Sequence, residues 1–227
     1  MTTAAAAEIS DLRQGFESQT ARRSELYRLL ATAFGFPSAD LRKAVSAGEV
    51  RAALAETAGG LPYSLAIPFD APALADAGTG EDTLETEYIR LFDVGAGSGP
   101  PCPLYVGNWR GDRLGVMEEC LRFYDHFGLG LPEPRPELPD HLTVALEFLH
   151  YLTFRQAEAL RASAPCGDYV RAQRDFLDRA VLSWFPRMTS KLSGESPPPY
   201  YVTLASLALA FFEAEKAYLA DLAKTAA

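Results

Sequence analysis

Positive charge is scarce in this chain: 21 Lys and Arg stand against 30 Asp and Glu, a net charge of −9 over 227 residues. Neutralising phosphates takes a basic face, so nucleic acid is excluded as a partner, while a basic partner is permitted. Cysteine is scarce too. Cys102, Cys120 and Cys166 are odd in number and widely spaced with no CxxC pair, which argues against a disulfide framework or a zinc knuckle. Long apolar runs are missing as well. The longest uncharged stretch lies between Glu195 and Glu213, and Pro197 to Pro199 interrupt its start. What remains falls short of the roughly 20 apolar residues that cross a bilayer. Met1 to Ser10 carries neither the basic flank nor the apolar centre of a secretory signal. The expectation is a soluble, cytoplasmic protein without membrane insertion.

Strand-like alternation is also absent, and helical periodicity fills its place. Hydrophobic residues are 48% of the chain, an ordinary globular balance. Leu26, Leu29, Leu30 and Ala33 recur at helical spacing before Gly35 and Pro37 end the run. Asp82 stands three residues before Glu85 as in a capping box, and Leu84, Tyr88, Leu91 and Phe92 follow as one stripe. Two stripes mark 112–127: Leu114, Met117, Leu121, Tyr124 on one side and Val116, Cys120, Phe123, Phe127 on the other. A helix apolar on two sides is expected to lie between neighbours. Gly128 follows as the residue with positive φ.

A helix opening near Pro139 aligns Leu142, Leu146, Leu149, Leu152 and Gln156. Asp168 is placed to cap the next, with Val170, Leu177, Val181 and Trp184 inward. The last, about 200–222, buries Leu204, Leu207, Phe211, Tyr218 and Leu222. The fold class is all-α: a single globular helical bundle over 1–227, of about eight to ten helices, with residues 1–19 less ordered. Three Gly/Pro-rich loops interrupt it at Leu61–Gly80, Asp93–Gly111 and Gly128–Pro139, and the last two, which hold Leu104, Tyr105, Trp109, Leu129 and Leu131, are expected to be ordered and functional.

Few constellations carry chemistry. Gly95 to Gly99 lacks the Lys-Ser/Thr of a phosphate loop and runs into Pro100 and Pro101 rather than a helix, so it reads as a hinge or turn. Glu147 and His150 have the E-x-x-H spacing of di-iron bundles, but such sites need a second pair and two more glutamates, which the chain lacks. No metal and no cofactor are expected. Asp140-His141 at a helix start has two readings: a carboxylate favoured by the helix dipole, or an acid–imidazole pair open to a cationic guest, with Glu147 roughly on the same face. No nucleophile elbow is present, and no histidine is placed to serve Cys102.

Three ordered patches together resemble the TorD/DmsD/NarJ family of redox-enzyme maturation chaperones. They are Glu87-Tyr88-Ile89-Arg90-Leu91-Phe92, then Pro101-Cys102-Pro103-Leu104-Tyr105, then Glu137-Leu138-Pro139-Asp140-His141-Leu142 followed by Leu146-Glu147-Phe148. The long link from Asp93 to Pro100, with Gly111-Asp112-Arg113 after it, is similar to the branch serving type II dimethylsulfoxide-reductase-like enzymes: ethylbenzene and dimethylsulfide dehydrogenases, selenate and chlorate reductases.

The resemblance implies a non-enzymatic, cytoplasmic chaperone. Its partners would be the apo catalytic subunit of a molybdenum-cofactor enzyme and that subunit's twin-arginine signal peptide, held back from export until the cofactor is inserted. Carried over residue by residue, the peptide or client site comprises Tyr88, Leu91, Phe92, Pro101, Pro103, Leu104, Tyr105, Asp140 and His141, and Glu147 is added from the third patch. The oligomeric expectation is a monomer or a domain-swapped homodimer. Two alternatives stand beside this reading: a small cofactor-independent enzyme using Asp140, His141 and Glu147 as acid–base groups, and a helical adaptor for another apolar peptide.

Overall fold

Apolar residues at a 3.6-residue period need neighbouring helices to cover them, and the computed structural model packs them in that way. It describes residues 2–79, 82–95, 97, 99–130 and 137–225. The helices are α1 (Thr2–Ala33), α2 (Ala39–Ser46), α3 (Glu49–Ala58), α4 (Leu84–Tyr88), α5 (Val106–Arg110), α6 (Arg113–His126), α7 (Leu142–Arg161), α8 (Gly167–Phe176), α9 (Phe185–Ser193) and α10 (Pro199–Thr225). Two of them widen into π turns, α4 over Ile89–Asp93 and α8 over Leu177–Leu182. The protein is all-α apart from a minimal antiparallel pairing of β1 (Gly78–Thr79) with β2 (Asp82–Thr83). A 3₁₀ turn, Pro72–Ala75, gives the 61–80 loop some regular structure.

Among the described residues α1 and α7 make the most extensive helix–helix contact, and α10 packs against α8, α9 and the 3₁₀ turn. The α7 stripe of Leu142, Leu146, Leu149, Leu152 and Gln156 is buried throughout. So are Val170, Leu177, Val181 and Trp184 from the next helical run, and Leu204, Leu207 and Phe211 of α10.

A charged pair lies at the centre of this packing. Arg23 of α1 and Glu215 of α10 are both fully buried, with Arg23 Nε 2.6 Å and Nη2 2.7 Å from the two carboxylate oxygens. Tyr27 donates to Glu215 Oε2 at 2.9 Å, and Tyr63 donates to its Oε1. Gln156 of α7 and Gln173 of α8 accept from the far side of the guanidinium at 3.3 and 2.7 Å. One polar network thus pins four helices and the loop bearing Tyr63. Burial works to lower the Arg23 pKa, but the Glu215 carboxylate more than reverses this and raises it.

Local expectations fail mainly at helix starts. The α4 cap is Thr83, whose hydroxyl accepts from Thr86 N at 3.4 Å, while Asp82 is taken up in β2. The residue preceding α8 is Cys166, and Asp168 sits in the first turn paired with Arg171. Helix α7 begins at Leu142 rather than near Pro139, with His141 as its cap. Helix α6 buries Val116, Cys120 and Tyr124 and packs Leu121, Phe123 and Phe127 partly against the core, but leaves Leu114 72% exposed. Gly128 has φ 70°, as its place after α6 requires. Leu131, Pro132, Pro134 and Pro136 of the third loop, and Ala96 and Ser98 of the second, lie outside the described residues.

Candidate functional site

The site grows from a short backbone clamp between two loop segments. Leu142 N donates to Leu104 O at 2.8 Å, Val106 N donates to Asp140 O at 3.1 Å, and Tyr105 forms an antiparallel bridge with His141. The Asp140 side chain completes it: Oδ2 accepts from Gly107 N at 2.9 Å, in the first turn of α5. That amide belongs to a helix start with no partner of its own, so a carboxyl oxygen is the group it needs. Gly107 suits the clamp because a Cβ there would come within 2.8 Å of Arg113 Cα on α6.

The His141 ring caps α7. Its Nδ1 accepts from Thr143 N at 3.3 Å and lies 2.7 Å from Thr143 Oγ1. Burial lowers the imidazole pKa, against the opposing pull of Glu137, Asp140 and Asp93. A neutral ring suits a nitrogen that must accept. Tyr105 lies edge-on to it, with centroids 4.7 Å apart, and its hydroxyl donates to Glu137 Oε2 at 2.6 Å. Burial raises the Tyr105 pKa and Glu137 raises it further, so the phenol stays a donor.

The α4 end meets this clamp. Cys102 N donates to Leu91 O at 2.9 Å across the π turn. Tyr88 feels both the Glu137 and Asp93 carboxylates, as do Tyr105 and His141. The three motifs that are far apart in sequence therefore converge on one acidic, aromatic face. Its carboxylates are exposed Asp93 and half-buried Glu137. Exposed apolar side chains adjoin it: Phe36, whose ring is 5.6 Å from Tyr88, Val94 at 62% exposure, and Leu138 next to Glu137.

The residues singled out from sequence fall into distinct places. Tyr88, Leu91, Phe92 and Leu104 are core residues beneath the face. Pro103 is buried and its carbonyl accepts from Trp109 Nε1 at 2.8 Å, while Pro101 is half-buried. Tyr105 is half-buried within the face. Asp140 is fully buried at 0% exposure and His141 is 3% exposed. Glu147 is exposed in the second turn of α7, at a separate apolar groove of about 230 Å³ lined by Tyr124, Val144, Phe148 and Tyr151. Asp140 and Glu147 thus do not share an open face. Sequence reasoning omitted Phe36, Asp93 and Glu137 from the site, although Asp93 directly follows the Leu91-Phe92 pair and Glu137 opens the third motif.

No open acid–base trio results. Asp140 and His141 are committed to backbone caps, Glu147 stands apart, and burial pushes the Cys102 thiol up to about 11, far from a thiolate at neutral pH.

The model of the family described as "Nitrate reductase delta subunit" matches residues 46–190, which contain all three motifs. The chain belongs to that family, the TorD/NarJ redox-enzyme maturation chaperones, which are not enzymes. Within it, this protein is similar to the perchlorate reductase assembly chaperone protein of Dechloromonas aromatica (strain RCB), 33% identical over 85% of this chain and 87% of that one. It is 40% identical to the selenate reductase assembly chaperone protein of Thauera selenatis and 39% identical to the chlorate reductase assembly chaperone protein of Ideonella dechloratans. Each of these two matches covers 52% of this chain, and the chain spans 62% of the length of each relative. These relatives fall in the type II dimethylsulfoxide-reductase branch that the long 93–100 link implies. Among the described residues no helix is long and apolar enough to cross a membrane.

Proposed function

We propose that this protein is a cytoplasmic assembly chaperone for the catalytic subunit of a selenate- or chlorate-reductase-like molybdoenzyme, and that its acidic aromatic face receives the subunit's twin-arginine signal peptide. The observation that carries the reading is the convergence of the three motifs on one face whose carboxylates, exposed Asp93 and the Tyr105-bonded, half-buried Glu137, adjoin exposed Phe36, Val94 and Leu138. Relatives named as assembly chaperones of selenate, chlorate and perchlorate reductases support the client class.

Magnitudes divide the labour at such a face. Two Arg–carboxylate pairs at a surface contribute about 0.2–1 kcal/mol each. Micromolar binding needs about 8 kcal/mol, and ordering a disordered peptide costs about 2–5 more. At about 25 cal/mol per Å², the apolar stretch after the arginines must bury several hundred Å². Leu91 and Leu104 are fully buried and offer none of it, so the contact falls to Phe36, Val94 and Leu138 and to whatever Tyr88 uncovers. The carboxylates orient the peptide and speed its encounter.

Isothermal titration with a synthetic twin-arginine peptide tests this. Asp93→Asn with Glu137→Gln is expected to weaken binding and flatten its salt dependence, and Phe36→Ser to weaken binding with the salt dependence unchanged. A peptide that does not bind, or binds all three proteins alike, refutes the assignment.

A further inference from the structure

Asp140 of the third motif is sealed from solvent, and its bonds point inward. Asp140 is 0% exposed. Its Oδ2 accepts from Gly107 N at 2.9 Å, its own carbonyl accepts from Val106 N at 3.1 Å, and its Oδ1 has no hydrogen-bond partner among the described residues. Its chain neighbour His141 bridges Tyr105 across the clamp, and the rings of these two residues meet at 4.7 Å. From that pairing Tyr105 extends its hydroxyl to Glu137.

We infer that Asp140 is a positioning residue: a buried carboxyl that holds the first turn of α5 and thereby sets Tyr105, His141 and Glu137 for the client, without touching the client itself. The inference rests on the proposed client face and reassigns the acid within it. A guanidinium seeking Asp140 would have to open the clamp and compete for the Gly107 bond, while Asp93 is exposed and Glu137 only half-buried. What position 140 supplies is an acceptor aimed at one amide. Charge is not required for that, and asparagine supplies the same acceptor with nearly the same shape. Among the described residues the second carboxyl oxygen has no hydrogen bond to lose when an amide nitrogen takes its place, although the two N–H donors that arrive there must find acceptors of their own.

Serving as an acceptor and serving as a charge predict opposite results for the isostere. As a positioning residue, Asp140→Asn keeps affinity for the synthetic twin-arginine peptide within about threefold of the parent, with an unchanged salt dependence, whereas Asp140→Ala loses about tenfold or more. Hydrogen exchange provides an arm that needs no peptide. The Gly107 amide stays protected in the asparagine variant and exchanges faster in the alanine variant, with distant α7 and α10 amides unaffected. A peptide that fails to bind the parent protein sinks the client face, and the exchange arm then still decides the role of Asp140. Should the alanine variant not fold, the asparagine variant alone decides. Folded Asp140→Asn that loses the peptide and flattens its salt dependence overturns the inference, as does failure of that variant to fold, because its hydrogen bond is retained.

Discussion

Replacing Glu215 by alanine removes the carboxylate that holds Arg23 by two bonds at 2.6 and 2.7 Å and also accepts from Tyr27 and Tyr63. The guanidinium cannot follow its lost partner to water, since both side chains are fully buried. Its remaining acceptors, Gln156 and Gln173, are neutral. Breaking a buried pair from one side costs about 3–5 kcal/mol, a large share of the roughly 5–15 kcal/mol that holds a domain folded. In a chain of this length each kcal/mol moves Tm by about 2–4 °C, so Glu215→Ala should lower it by roughly 6–20 °C. Replacing both partners by apolar residues of similar volume, Arg23→Met with Glu215→Leu, leaves no stranded charge and should recover much of that loss. Thermal unfolding followed by circular dichroism, with chemical denaturation for ΔG, reads all the variants. A single variant that loses less than about 1 kcal/mol, or a double variant no better than the single, would refute the view that an unpaired buried cation sets the cost.

Three smaller tests bear on the site. His141 is buried with a lowered pKa, so the unfolded chain takes up its proton first and stability must fall as pH drops through the ordinary histidine range near 6.5; His141→Asn, which can still cap α7, should flatten the Tm-versus-pH curve there. Gly107→Ala forces a Cβ to within 2.8 Å of Arg113 Cα, and overpacking of this kind costs about 1–3 kcal/mol; a neutral result in denaturant titration would show that α5 can move off α6 freely. Leu114 is 72% exposed, so Leu114→Ser should change stability by less than about 0.5 kcal/mol, and a larger loss would place the second α6 stripe in an interface after all.

Periodicity made the helices legible because each stripe reports its own burial: 142, 146, 149, 152 and 156 repeat at helical spacing and all five side chains are buried. Helix starts were less legible. An aspartate near a start can bond to its own helix, to a neighbouring residue or to another helix altogether, and the chain uses all of these freedoms. Asp112 caps α6, Asp168 pairs with Arg171, and Asp140 reaches α5, 33 residues away. The Arg23–Glu215 pair joins residues 192 apart, and no local pattern distinguishes either from a solvated charge on a helix surface. The order of the three motifs identified the family, but not which of their residues face outward. Tyr88, Leu91, Phe92 and Leu104 are as apolar as a groove lining would be, and three-dimensional packing places them beneath the face instead.

The central claim is that this protein assembles with the catalytic subunit of a molybdoenzyme, and co-purification tests it most directly. The tagged chaperone would be expressed beside the catalytic subunit of a selenate- or chlorate-reductase-like enzyme, with molybdenum-cofactor synthesis intact or blocked. The account predicts that the subunit co-purifies when the cofactor is withheld and is released when it is supplied, and that molybdenum content falls when the chaperone is omitted. A catalytic subunit that acquires full molybdenum without the chaperone, and that never co-purifies with it in either state, would contradict the account.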